Sequence, residues 1–99
     1  MAHLLVILPD ADEPLVFSLE EKFTTIGRAP GNTIVIGEGA ASRKHLMIKA
    51  LNESYRLVDL GSANGTVVNG ERLPSKKELD LAHDDRIQIG KTVLVFKEQ

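Results

Sequence analysis

"SANGTVVNG" (62–70) places two Asn-Gly pairs with three residues between them. Asn-Gly supplies the positive φ angles that a tight reversal requires, because glycine carries no Cβ and asparagine tolerates the left-handed region. "NGTVVNG" therefore reads as a very short strand with a reversal at each end. Outward from it the same unit recurs, a short apolar or alternating run closed by Gly, Asn, Asp or Pro. The runs are "LLVIL" (4–8), "PLVFSL" (14–19), "FTTIG" (23–27), "TIVIG" (33–37), "HLMIKAL" (45–51), "YRLVDL" (55–60), "TVVN" (66–69), "RIQIG" (86–90) and "TVLVF" (92–96). Val, Ile, Thr and Phe dominate them, and β-branched side chains keep their preferred rotamers on a pleated surface. In "RIQIG", Ile87 and Ile89 share one face while Arg86 and Gln88 take the other, the period of two of a sheet with one wet side. Such a sheet needs a second layer. Short strands at intervals of about 8–12 residues, with no helical pattern between them, predict an all-β fold, an antiparallel β-sandwich in preference to a barrel.

One segment allows another reading. "SKKELDLAHDD" (75–85) opens on Ser75 and carries Glu78 three residues later, the capping-box pattern of a helix start, so a helical turn is the alternative there. "SLEEK" (18–22) is too short to stand as a helix alone.

A chain of 99 residues is expected to form one domain over 1–99, burying about 65% of the surface its unfolded form exposes. The modest core argues against a large active-site cavity. Net charge is −2 and aromatics make up 4%, which argues against a nucleic-acid surface of basic patches and stacking rings. Any anion must then be met locally. Cysteine is absent, which excludes disulfides, thiol nucleophiles and zinc-thiolate sites and is compatible with a reducing cytoplasm. The longest apolar stretch, "HLLVILP" (3–9), is far short of the ~20 residues of a membrane span and lacks a preceding basic region. No membrane partner is expected. The sequons at Asn52 and Asn64 read as chance matches in turn-rich loops without a secretory signal.

Catalysis finds little support in the residues. Ser42, His45 and Asp59 are the side-chain types of a hydrolase triad, but Ser42 and His45, three apart on an expected strand, should point to opposite faces. No G-x-S-x-G elbow occurs. "GEGAAS" (37–42) lacks the third glycine and the helix of a dinucleotide loop. His3, His45 and His83 are scattered, none at metal-ligand spacing, and His45 reads as a structural residue tying a loop to a strand. No catalytic residue, metal or cofactor is expected.

Anion recognition is the remaining chemistry. Arg28, Ser42 and Arg43 sit just outside apolar runs, where the loops of a sandwich gather at one end. A guanidinium with short hydroxyl and backbone donors suits a phosphate, since charge-assisted hydrogen bonds are about twice as strong as neutral ones. Solvated loop charges are the other reading of the same three residues.

The array "IGRAPGNTIVI" (26–36), "SRKH" (42–45), "DLGSANGT" (59–66) and "VNG" (68–70), in that order and spacing, resembles the forkhead-associated (FHA) domain. That pattern is Gly-Arg, Ser-x-x-His, Asn-Gly-Thr, Asn-Gly. The resemblance implies a β-sandwich of about eleven strands that binds phosphothreonine peptides through loops at one end, a mode of recognition that uses arginine. It implies that Arg28 contacts the phosphate or orients the phosphopeptide, that Ser42 and Arg43 supply donors, and that Asn64 hydrogen-bonds the peptide main chain. It also implies that Gly27, His45, Gly65, Asn69 and Gly70 shape the loops. The partner so implied is a phosphothreonine-containing protein or peptide, with a Ser/Thr kinase or its substrate as the class suggested. A phosphate-independent scaffold with the same fold is the alternative.

Two departures from the pattern bear on this. Ala63 stands where Thr is common, removing a hydroxyl that could assist the phosphate and leaving its backbone N–H as the donor. Asp84 stands where glycine is usual before Asp85, a position asparagine and aspartate enter more readily than most residues.

Overall fold

A computed structural model describes residues 1–98. Eleven strands form: β1 (Ala2–Ile7), β2 (Leu15–Ser18), β3 (Phe23–Gly27), β4 (Ile34–Val35), β5 (Leu46–Ala50), β6 (Tyr55–Asp59), β7 (Val67–Val68), β8 (Glu71–Arg72), β9 (Glu78–Asp80), β10 (Arg86–Ile89) and β11 (Thr92–Glu98). They make a six-stranded sheet in the order β2-β1-β11-β10-β7-β8 and a five-stranded sheet in the order β4-β3-β5-β6-β9. The predicted sandwich is therefore present, and all its strands but β8 and β9 fall on the apolar runs.

Alternation explains the layering. Along β10, Ile87 and Ile89 are fully buried while Arg86 and Gln88 face solvent. Leu4 and Val6 of β1 and Leu94 and Phe96 of β11 join them from the first sheet. Ile26, Ile34, Leu46, Ile48 and Leu57 meet them from the second. The Tyr55 ring tilts against Phe96 at 5.3 Å between centroids and so links the two layers.

Three details differ from the sequence expectation, and the helical alternative at Ser75 is not taken up. The pairing of β3 with β4 is parallel, in the register Ile26↔Ile34 and Gly27↔Val35. A hairpin is replaced there by a loop that folds back on itself, held at its neck where Thr25 and Thr33 exchange backbone-to-hydroxyl hydrogen bonds of 3.1 and 3.0 Å. Ser75 and Glu78 start no helix. Lys76 takes φ 64°, and Glu78 enters β9, whose register against β6 lets it reach Lys49 and Arg56 across the sheet. β8 and β9 lie outside the apolar runs, because polar edge strands leave no alternating signal. Finally, only the second Asn-Gly is a hairpin reversal. Asn69 (φ 49°) and Gly70 (φ 85°) close a two-residue turn between Val68 and Glu71, whereas at the first pair only Gly65 has positive φ (80°) and the chain crosses from β6 to the other sheet.

Candidate functional site

Three loops gather at one end of the sandwich: 28–33 after β3, 36–45 before β5, and 60–66 after β6. The first two are zipped together by their main chains. Arg28 N–H donates to Ser42 O (3.0 Å) and Ala29 N–H to Arg43 O (3.2 Å). Asn32 Nδ2 donates to Ala29 O (2.8 Å) and again to Arg43 O (2.6 Å). The approach is close enough that a Cβ on Gly27 would stand 2.2 Å from Arg43 O, so the residue before Arg28 has to be glycine.

His45 ties the second loop to the third. Its ring is fully buried, with Nδ1 accepting from Ser42 N–H (2.9 Å) and Nε2 facing Gly65 O (3.0 Å) and Thr66 Oγ1 (3.1 Å). An Nδ1 that accepts leaves the proton on Nε2, where the Gly65 carbonyl receives it. The expectation that Ser42 and His45 lie on one strand with opposed faces is corrected here. Residues 42–44 are loop, and β5 begins only at Leu46. The triad fails for a different reason: Ser42 Oγ accepts from Ala63 N–H (3.0 Å), while the bond between Ser42 and the His45 ring is made by the Ser42 main-chain N–H and not by its hydroxyl.

Asp59 shapes the third loop. Buried at the end of β6, it accepts from Gly61 N–H (2.8 Å) and Ser62 N–H (2.7 Å) on Oδ1, and from the Ser62 (2.6 Å) and Thr66 (2.7 Å) hydroxyls on Oδ2. Burial pushes its pKa up, but the donors from Ser62, Thr66 and Gly61 outweigh burial and hold it below the ordinary carboxylate value. Glu38 does the equivalent for the second loop. One of its oxygens accepts from Ala40 N–H (3.1 Å), the other from Lys91 N–H (3.1 Å) and the Thr92 hydroxyl (2.9 Å), and the Ala40 bond leads in lowering its pKa.

On this frame the ligand-type side chains are presented at the surface. Arg28 is exposed and anchored through Nε to Ala41 O (3.1 Å), which fixes the plane of the guanidinium and leaves both Nη groups without a partner among the described residues. Arg43 is exposed, and no ion pair involves its guanidinium among the described residues. Ser42 Oγ uses a lone pair on Ala63 N–H, so its own proton remains to donate. The Ala63 N–H, expected as a substitute donor, is thereby engaged. Asn64 is exposed and spends one Nδ2 proton on Ala40 O (3.0 Å), keeping Oδ1 and the other proton.

Thus Gly27, Arg28, Ser42, Arg43, His45, Asn64 and Gly65 are brought into one hydrogen-bonded cluster. Asn69 and Gly70 are not. Asn69 exchanges hydrogen bonds with Arg86 (2.8 and 2.9 Å) and donates to Asp85 Oδ1 (2.9 Å), pinning the start of β10, whereas the Glu38 clamp grips the turn after its end. Asp84 does adopt the left-handed conformation, at φ 73°. Glu38, Asn32, Asp59, Ser62 and Thr66 escaped the sequence reading as loop-formers. For Asp59 a signal existed, since Asp followed by Gly and Ser is the pattern of an Asx turn. Among the described residues no three His, Asp or Glu side chains could together hold a metal, and no helix is long and apolar enough to cross a membrane.

A sandwich that displays an anchored arginine, a free hydroxyl proton and a half-free amide on loops over a filled core is a scaffold of the loop-recognition class. The FHA domain family model matches residues 24–90, and the chain belongs to that family. It is 38% identical to the glycogen accumulation regulator GarA of Mycobacterium tuberculosis over 93 residues, 94% of this chain and 56% of GarA. It is likewise 38% identical to an oxoglutarate dehydrogenase inhibitor of Corynebacterium diphtheriae, over 98% of this chain and 66% of that protein. The chain thus spans a little over half to two thirds of the length of these curated relatives. Among solved structures, Mycobacterium tuberculosis EmbR in complex with a low-affinity phosphopeptide superposes with a TM-score of 0.83 at 31% identity, over 97% of this chain and 24% of EmbR.

Proposed function

We propose that this chain is a single FHA domain over residues 1–99 that recognises phosphothreonine in an extended peptide and performs no catalysis. The observation that carries the reading is the Nε anchor of Arg28 on Ala41 O, beside a Ser42 hydroxyl that accepts from Ala63 N–H and keeps its own proton to donate. The guanidinium can only give protons outward and the hydroxyl proton is free to join it, which suits a dianionic phosphate. Arg43 adds charge, and Asn64 offers an acceptor and a donor side by side, the complement of a peptide group. Gly27, His45 and Gly65 act as supports of these loops, and Asn69 and Gly70 act at one remove through β10.

The relatives are named as regulators and inhibitors, and EmbR is seen with a phosphopeptide, which supports a role in Ser/Thr kinase signalling in the cytoplasm. The partner class is a phosphothreonine-containing protein, a kinase or a kinase substrate. The test is titration of a fluorescent phosphothreonine peptide pool and its unphosphorylated twin into wild type, Arg28→Ala and Ser42→Ala. Loss of one hydrogen bond to a charged group, about 1.5–3 kcal/mol, predicts a weakening of roughly ten- to hundredfold for Ser42→Ala. Equal binding of both pools by folded protein would replace this reading with the phosphate-independent scaffold.

A further inference from the structure

The 60–66 loop is flanked by two more cations, one at Gly65 and one at Gly61. Arg72 of β8 lays its guanidinium over Gly65, where a Cβ would stand 2.5 Å from Nη2 and 2.8 Å from Cζ. The pairing of Val67 with Arg72 and the bond from Leu73 N–H to Thr66 O (2.9 Å) hold its backbone beside the loop. Lys76, whose N–H donates to Asp59 O (2.8 Å), runs past Gly61, with Cε 3.3 Å from where a Cβ there would lie.

Neither cation has a carboxylate partner among the described residues, although the chain carries 14 acidic side chains against 12 Lys and Arg. Three cations elsewhere on the sandwich are matched, Arg56 by Glu78 and Asp80, Lys49 by Glu78 and Lys97 by Asp84, whereas Lys22, Lys77, Arg86 and Lys91 have no ion pair among the described residues. What sets Arg72 and Lys76 apart from the other unpaired cations is their position against Gly65 and Gly61, on the loop that carries Asn64. Gly65 adjoins Asn64 in sequence, so an extended peptide held by Asn64 passes Arg72 within roughly one to three residues, at about 3.3 Å each.

We propose that Arg72, backed by Lys76, forms a second anion subsite that takes a carboxylate from the same peptide, so that the domain prefers phosphothreonine peptides bearing an Asp or Glu near the phosphate. This rests on the phosphothreonine reading above. Fluorescence anisotropy of the intact chain tests it, with a neutral-flanked phosphothreonine peptide, a set in which Asp is moved through three positions on each side, and the unphosphorylated twins. Wild type is expected to bind one Asp position about three- to fivefold more tightly than the neutral peptide, the range of an exposed charge pair. Arg72→Gln should abolish that gain and leave the neutral peptide within about twofold, Arg72→Lys should keep part of it, and Lys76→Gln should reduce it.

The subsite is overturned if no Asp position helps while phosphate-dependent binding persists. It is equally overturned if folded Arg72→Gln weakens neutral and acidic peptides alike, which would make Arg72 a support of Gly65. Failure of wild type to bind the neutral phosphopeptide at all would mark the loss of the phosphothreonine reading, and the subsite would fall with it.

Discussion

Gly27 is held by proximity and not by φ, since a methyl group there would press into the Arg43 carbonyl at 2.2 Å. That carbonyl already receives Ala29 N–H and Asn32 Nδ2, so it has little room to yield. Gly27→Ala is expected to cost at least the 1–3 kcal/mol typical of overpacking, about, read from the urea midpoint. The variant should also weaken phosphopeptide binding, because the 28–33 loop must separate from Arg43 to make space. His45→Phe removes the hydrogen bonds of a fully buried ring and leaves the part-buried Ser42 N–H and Gly65 O without that partner. Each such group costs about 1–3 kcal/mol, so this variant should melt well below wild type even though no ligand contact has changed.

At the scale of the element, the 60–66 loop stands on the ionised Asp59. A carboxylate whose folded pKa lies below its unfolded value contributes stability that is fully present above the unfolded value, about 3.9, and is lost as pH falls through the folded one. Glu38 has the same sign. Stability should therefore decline on acidification below about pH 4–5, and Asp59→Asn should flatten part of that slope while lowering stability at neutral pH by about 1–3 kcal/mol. Urea unfolding of both proteins across pH 2.5–7 (about) checks it. The strands of the core were legible because Ile87 and Ile89, or Leu4 and Val6, repeat with period two. β9 was not, because Glu78 and Asp80 are held by Arg56 on the neighbouring β6 and by Lys49 one strand further, on β5, and a cross-strand partner has no fixed spacing in sequence. The same reason hid Glu38, whose partners Lys91 and Thr92 lie more than fifty residues away. The ligand-type residues Arg28, Ser42, Arg43 and Asn64 were visible through short motifs, whereas the direction of Ala63 N–H into Ser42 Oγ depends on how two loops meet.

The whole molecule has a radius of gyration of 12.1 Å, against the ~13 Å usual for a chain of this length, and its two sheets fill the space between them. Phe96, fully buried between the layers, contributes in proportion: Phe96→Ala should cost about 3–5 kcal/mol, a large fraction of the 5–15 kcal/mol that holds such a domain. Its thermal unfolding midpoint reports this directly. Binding should respond to a different variable. Net charge is −2, yet the loop end collects Arg28, Arg43, Arg72 and Lys76, so raising salt should weaken phosphopeptide capture while leaving the core midpoint nearly unmoved. Ser42 and Asn64 serve both ends, through Ala63 N–H and Ala40 O, but otherwise the side chains offered to a ligand and those that fix the loops are different residues. Arg28, Arg43 and Asn64 reach outward, while Glu38, Asn32, His45 and Asp59 turn inward. Descent with modification can therefore retune what such a surface recognises one exposed residue at a time, with the fold as an unaltered chassis and no intermediate forced through an unfolded ancestor.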